Sequence, residues 1–314
     1  MLGPLGCSKS DSPGPTGPTD PTDPTGPKGD TATPRTPTLA EVRVTELTPP
    51  PLRDSALSAE LAKLAEDALF TSFHKDLKDP AACRAQVTIG YALVVNGRPV
   101  PSAEEGEAHA LFEGEVFCPD ASGRPTEGFR LELATERPFG GSHGSTGPAR
   151  VREVVTEVLR EGADALFGQV QIRPASDDQI RTALRSSQHA GILAEAASEA
   201  GERRLADMGE ALVQLTRHAN RRVAARAGAA LGLLKLDTPE TIKALVALTE
   251  GPDTEKHLVA IHALGDIGSP DAKRYLDVIA IGHPNPLIRQ LARERLGRPR
   301  ELAPEPVPEP APVP

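Results

Sequence analysis

Arg222-Val-Ala-Ala-Arg-Ala-Gly-Ala-Ala-Leu231-Gly232 is answered downstream by Lys256-His-Leu-Val-Ala-Ile-His-Ala-Leu264-Gly265 and again by Ile288-Arg-Gln-Leu-Ala-Arg-Glu-Arg-Leu296-Gly297. A weaker copy, Ile192-Leu-Ala-Glu-Ala-Ala-Ser-Glu-Ala200-Gly201, precedes them. The anchors Ala200, Leu231, Leu264 and Leu296 recur every 31 to 33 residues, the period of a two-helix repeat. Helical spacing around them predicts first helices over Gln179–Arg185, Arg203–Leu215, Pro239–Thr249 and Pro270–Ile281, and second helices over Ala190–Ala200, Arg221–Leu233, Glu255–Ile267 and Pro286–Leu296. Thr238-Pro239 and Ser269-Pro270 each set a proline in the first turn after a capping residue, its favoured place. Gly201, Gly232 and Gly265 stand near the ends of second helices, where left-handed termination or close packing suits glycine. The alanines between anchors let helices approach, and the leucines fill the seam. One pair cannot bury its own face, so about four copies must stack.

These residues resemble the HEAT-like repeats of the short bacterial type, whose second helix ends in Ala-Leu-Gly. The resemblance covers residues 176–298 and implies an all-α solenoid that binds another protein, since such repeats are scaffolds that host many roles. In that architecture the second helices line one surface. Arg222, Arg226, Lys256, His257, Arg289 and Arg293 then form a candidate basic ridge, suited to an acidic protein segment or a carboxylate-rich ligand. The competing reading is a solvated helix face, interrupted on the first copy by Glu195, Glu199 and Glu202. Short HEAT-like repeats also occur in proteins that attach or remove open-chain tetrapyrroles on light-harvesting proteins. That alternative needs an apolar pigment groove, whereas Tyr275 is the single aromatic of this region.

Upstream, residues 40–173 change period. Val42 and Val44 alternate with Arg43 and Thr45 as a short strand. After Pro49-Pro50-Pro51, Leu57, Leu61, Leu64, Ala65, Leu69 and Phe73 fall at helical spacing. Three strands follow: Gln86–Val95, the stretch with Ala110, Phe112, Gly114, Val116 and Cys118 on one face, and the stretch with Phe129, Leu131, Leu133 and Thr135 on one face. Asn96-Gly97 marks a tight turn. A second helix carries Val151, Val154, Val155, Val158, Leu159, Leu166 and Phe167, with Val170 and Ile172 as a short closing strand. The order βαβββα gives an α+β expectation: a small antiparallel sheet with two helices on one face, followed by the HEAT-like solenoid. Gly140-Gly141-Ser142-His143-Gly144-Ser145-Thr146-Gly147 reads as a strand-to-helix loop. It lacks the Gly-Lys-Ser/Thr ending of a phosphate loop, and no motif places a nucleophile beside His143. His257 and His262 are poorly spaced as a metal pair, so the expectation is a protein with no cofactor, no metal and no catalytic residues.

The first residues suggest an anchor. Pro4-Leu5-Gly6-Cys7-Ser8 resembles the lipobox of bacterial lipoproteins, in which the cysteine becomes acylated; the resemblance implies lipidation at Cys7 and a longer signal peptide upstream of Met1. Ser8, rather than Asp, fits outer-membrane sorting. From Gly14 the chain reads Gly-Pro-Thr, Gly-Pro-Thr, Asp-Pro-Thr, Asp-Pro-Thr, Gly-Pro-Lys. Asp20 and Asp23 break the glycine period of collagen, which leaves an extended spacer over residues 1–39. In an oxidising envelope, Cys83 and Cys118 are the candidate disulfide, closing about 35 residues; in a reducing cytosol they are two buried thiols and the repeats serve as a cytosolic adaptor. Residues 299–314 form a Pro/Glu-rich tail.

Composition narrows the classes. The 314 residues carry a formal charge of −9, 3% aromatics and no tryptophan, so general nucleic-acid binding is excluded for want of both charge and stacking rings. No apolar run approaches the ~18 residues of a membrane span. Membrane attachment is expected through a lipid alone, and the partner is expected to be another protein.

Overall fold

The computed structural model describes residues 37–297 apart from 77, 80–81, 120–123, 125–127 and 252. Cys7, residues 1–36 of the spacer and residues 298–314 lie outside the described residues, and Thr38 and Leu39, expected at the end of the spacer, already belong to the first strand. The fold is mixed α+β, with a six-stranded sheet and ten helices among the described residues. No helix there is long and apolar enough to cross a membrane.

The first strand, β1 (Thr38–Glu46), is followed by a 3-10 turn at Pro50–Leu52 and by α1 (Ser55–Ser72). Asp54 starts α1 because its carboxylate accepts from the free N–H groups of Ala56 and Leu57. The chain then forms β2 (His74–Lys75), β3 (Cys83–Val95), β4 (Arg98–Val100), β5 (Gly106–Phe117) and β6 (Phe129–Phe139), in sheet order β2-β1-β3-β5-β6 with β4 paired to β3. Val95 pairs with Arg98 across the two-residue turn, where Asn96 and Gly97 have φ of 50° and 73°. That positive pair is what a primed hairpin turn requires, and Asn-Gly supplies it with least strain.

The sheet departs from the expected antiparallel one. β1 runs parallel to both β2 and β3, and only the β3–β4, β3–β5 and β5–β6 pairs are antiparallel. The cause is α1: a strand that returns through an 18-residue helix re-enters the sheet in its original direction. Two short strands, β2 and β4, were also unforeseen, being too brief to show a period. Alternation does hold along β5, where Ala108, Ala110, Phe112, Gly114 and Val116 all turn inward and are buried. α1 and α2 (Gly147–Ile172) cover that side. The short strand expected at Val170 and Ile172 is instead the last turn of α2, whose inward stripe continues unbroken through both residues.

Eight further helices follow α2: α3 (Asp177–Ser186), α4 (Ala190–Glu202), α5 (Gly209–Leu215), α6 (Arg221–Leu234), α7 (Pro239–Ala247), α8 (Thr254–Ile267), α9 (Pro270–Gly282) and α10 (Pro286–Arg295). Each odd-numbered helix from α3 packs on the helix after it, and the even ones pack in succession, α2 on α4, α4 on α6, α6 on α8 and α8 on α10. Asn220, Asp253 and Asn285 cap α6, α8 and α10 by accepting from two N–H groups, two N–H groups and one N–H group respectively. The helix expected from Arg203 begins later. Arg204 sits at φ 58°, and the Arg203 guanidinium is occupied by the carbonyls of Arg173 and Ala175 and by Glu199.

The repeated glycines are close-packing residues rather than terminators. Gly201, Gly232 and Gly265 lie inside α4, α6 and α8, and the left-handed residues come three positions later in each case, at Arg204, Lys235 and Gly268. A Cβ on Gly201 would lie 2.9 Å from the Ala230 Cα, and one on Gly232 would lie 2.6 Å from the Ala263 Cα. Gly265 differs in that it faces the Arg295 guanidinium rather than backbone. Each glycine therefore seats on the residue just before the next anchor leucine.

Two large hydrophobic cores result, with a small third cluster at Leu193, Ala194 and Val223. One holds α1, α2 and the inner face of the sheet; the other runs through the helices from Ile172 to Ala292. α2 belongs to both, and Ile192 packs against both. At the junction Phe73 meets Phe167 edge to face and His189 lies tilted against Phe167, with ring centroids 5.2 and 4.8 Å apart. Beside them Asp164 accepts from Ser72 at 2.8 Å and lies 3.5 Å from His189, joining α1, α2 and the start of α4.

Candidate functional site

The expected basic ridge is only partly an accessible surface. α6 presents Arg226 to solvent and holds Arg222 half-buried beside it. Neither guanidinium makes a hydrogen bond or ion pair among the described residues, and the Arg222 Nε is buried without a partner. Burial pushes Arg222 below the usual arginine value, Arg226 adds repulsion, and Glu161, Glu195 and Glu255 pull the other way. Lys256 on α8 is half-buried. His257 is only 5% exposed and packs its ring against His283 at 5.0 Å. On α10, Arg289 donates to the carbonyls of His283 and Pro284, and Arg293 is half-buried and engaged. The residues brought together as free positive charge are thus Arg222 and Arg226, joined by Arg221, which the sequence reading passed over.

Glu195 does not interrupt this face as a solvated charge. It is buried, with Arg173 donating to it at 2.8 Å, and so serves the α2–α4 contact. Arg222 and Arg221 line a cavity of about 240 Å³ at the start of α6, with Arg160, Glu157 and Glu161 of α2.

Cys83 and Cys118 are joined by a disulfide. The β3–β5 register explains why: Arg84 pairs with Phe117, so the next residues outward, Cys83 and Cys118, face each other directly. Their Cα atoms lie 4.2 Å apart, the close type of opposing pair in an antiparallel ladder, about 4.5 Å. The Gly140–Gly147 stretch is a loop with a 3-10 turn at Gly141–His143, closed by a Gly140 N–H donated to the Ser145 carbonyl. His143 is exposed there.

The larger cavity, about 630 Å³, crosses the uncovered side of the sheet from Leu47 through Gly90, Leu111 and Ala134, with His109, Glu136 and Arg221 along it. Small residues at Gly90, Ala92 and Ala134 make the depression. His109 Nε2 lies 3.2 Å from a Glu107 carboxylate oxygen and 3.8 Å from one of Glu136. Glu107 and His109 are legible as one-sided neighbours by alternation, but Glu136 joins them only once the register of β6 is known.

No protein-family profile matches the chain, and no curated protein matches it. Among solved structures it is similar to rare lipoprotein B from Shewanella oneidensis, with 14% identity and a TM-score of 0.24 over 41% of this chain and 92% of that one. It is also similar to a minor lipoprotein from Acinetobacter baumannii, with 10% identity and a TM-score of 0.26 over 43% of this chain and 94% of that one. Likenesses at these TM-scores carry no argument about fold or function.

Proposed function

We propose that the chain is a non-enzymatic protein-binding scaffold, held at a bacterial envelope membrane by a lipid on Cys7, whose helix pairs act as a short HEAT-like solenoid. The observation that carries this reading is the recurring seat of each second-helix glycine on the next second helix, Gly201 on Ala230 and Gly232 on Ala263. A contact repeated once per helix pair, here at offsets of 29 and 31 residues, is how a solenoid stacks each second helix on the next. On that array, Arg221, Arg222 and Arg226 offer three guanidiniums without internal partners among the described residues. Unpaired arginines on a chain of net charge −9 suit an acidic segment of another protein.

Two measurements test this. A clickable fatty acid fed to cells expressing the gene with its upstream codons should label the wild type and not Cys7→Ser. A partner recovered in stoichiometric, salt-sensitive complex should be lost on the double change Arg222→Glu, Arg226→Glu. Capture that survives both high salt and the charge reversal would rule out the arginine face.

A further inference from the structure

The uncovered side of the sheet holds three metal-ligand side chains that the scaffold reading does not use. Glu107 and His109 are two apart on β5, so they project from the same side of the pleat. Glu136 of β6 stands directly opposite His109 in the ladder. One ligand atom from each of the three lies within 4.8 Å of the others, on two paired strands rather than a loop.

The pairwise distances have a chemical meaning. A single imidazole nitrogen carries at most one hydrogen, yet two carboxylates converge on His109 Nε2, at 3.2 and 3.8 Å. A tetrahedral ion bound to nitrogen and oxygen at about 2.0–2.2 Å keeps its ligands roughly 3.3–3.5 Å apart, within that interval. The local charge is mixed: Glu104 and Glu105 immediately precede β5, Arg137 pairs with Glu157 at 2.5 Å, and Arg221 stands along the same trough. The nearby trough of about 630 Å³, which His109 and Glu136 both line, leaves room for a fourth ligand.

We propose that Glu107, His109 and Glu136 form a divalent-cation site of the zinc class, with a fourth coordination position open to the trough. Mixed imidazole and carboxylate donors in a set of three fit zinc or a neighbouring first-row metal. Calcium and magnesium, which take six or more oxygen ligands, fit poorly. The site is independent of the scaffold reading, because none of its residues belongs to the helix pairs.

The test uses the full chain, without a polyhistidine tag, stripped with chelator and titrated with zinc chloride by calorimetry. Equilibrium dialysis with elemental analysis gives the stoichiometry. One zinc per chain is expected. His109→Ala and Glu136→Gln should each weaken it by more than the ~10–100-fold that losing an outer-shell partner costs. His262→Ala, an exposed histidine on α8, should leave it unchanged. Cobalt(II) in place of zinc should give the visible absorption of a four-coordinate ion in the wild type and not in His109→Ala. Circular dichroism confirms that the variants remain folded. No zinc uptake by the wild type, or uptake indifferent to His109→Ala, overturns the proposal.

Discussion

Tyr91 shows how one side chain can report on the whole sheet domain. It is 5% exposed, and its hydroxyl accepts from the Asp54 N–H at 3.1 Å and lies 3.2 Å from the Ser58 hydroxyl, tying β3 to the start of α1. Burial raises its phenol above the ordinary value, because the phenolate would lose more hydration than the phenol. The folded chain therefore holds this proton more tightly than the unfolded chain does. Its stabilisation is complete below the unfolded value of about 10 and is lost as pH rises through the higher folded value. Tyr91→Phe should cost about 1 kcal/mol at neutral pH and flatten the alkaline loss of stability, as followed by denaturant melts at stepped pH. Individual residues were unevenly legible beforehand. The cysteine pair could be named by elimination, since only two candidates remained. The burial of His257 could not, because it depends on where His283 arrives from the next helix.

At the scale of the elements, packing distance decides the sign of glycine substitutions. Gly232→Ala gains about 0.8–1 kcal/mol of helix propensity, but its Cβ would lie 2.6 Å from backbone in α8. Overpacking of that kind costs about 1–3 kcal/mol, so a net loss is expected. Gly282→Ala, at the end of α9, meets nothing within 4 Å and should be neutral or stabilising by up to ~1 kcal/mol. Leu231→Ala, fully buried, should cost about 2–5 kcal/mol. Thermal melts of the three variants rank these effects, and equal behaviour of Gly232→Ala and Gly282→Ala would refute the close-contact account. The helix pairs were readable because the 3.6 period, the Asn, Asp, Ser and Thr caps and the prolines all agree locally. The direction of β1 was not, because parallel pairing is a property of the connection through α1 and leaves no mark on the residues of β1. The Glu107, His109 and Glu136 grouping stayed hidden for the same reason: register is non-local.

Across the whole molecule, the Cys83–Cys118 bond closes a sequence separation of 35 residues. By loop-entropy reasoning it contributes about 3–4 kcal/mol. Cys83→Ser, or reduction under mild denaturant, should lower stability by that amount, and a variant as stable as the wild type would argue against it. The loss should not stay confined to the sheet, because α2 supplies side chains to both hydrophobic cores. A flexible linker between two folded parts would let each turn freely, so that whatever each part held could sample many mutual orientations. Here a 26-residue helix is common to both, and the backbones of α2 and α4 meet at Gly168 and Gly191 with no side chain between them. The sheet and the helix pairs are therefore fixed to each other like two rules riveted at a corner. A partner that touched both would be measured for angle as well as for composition.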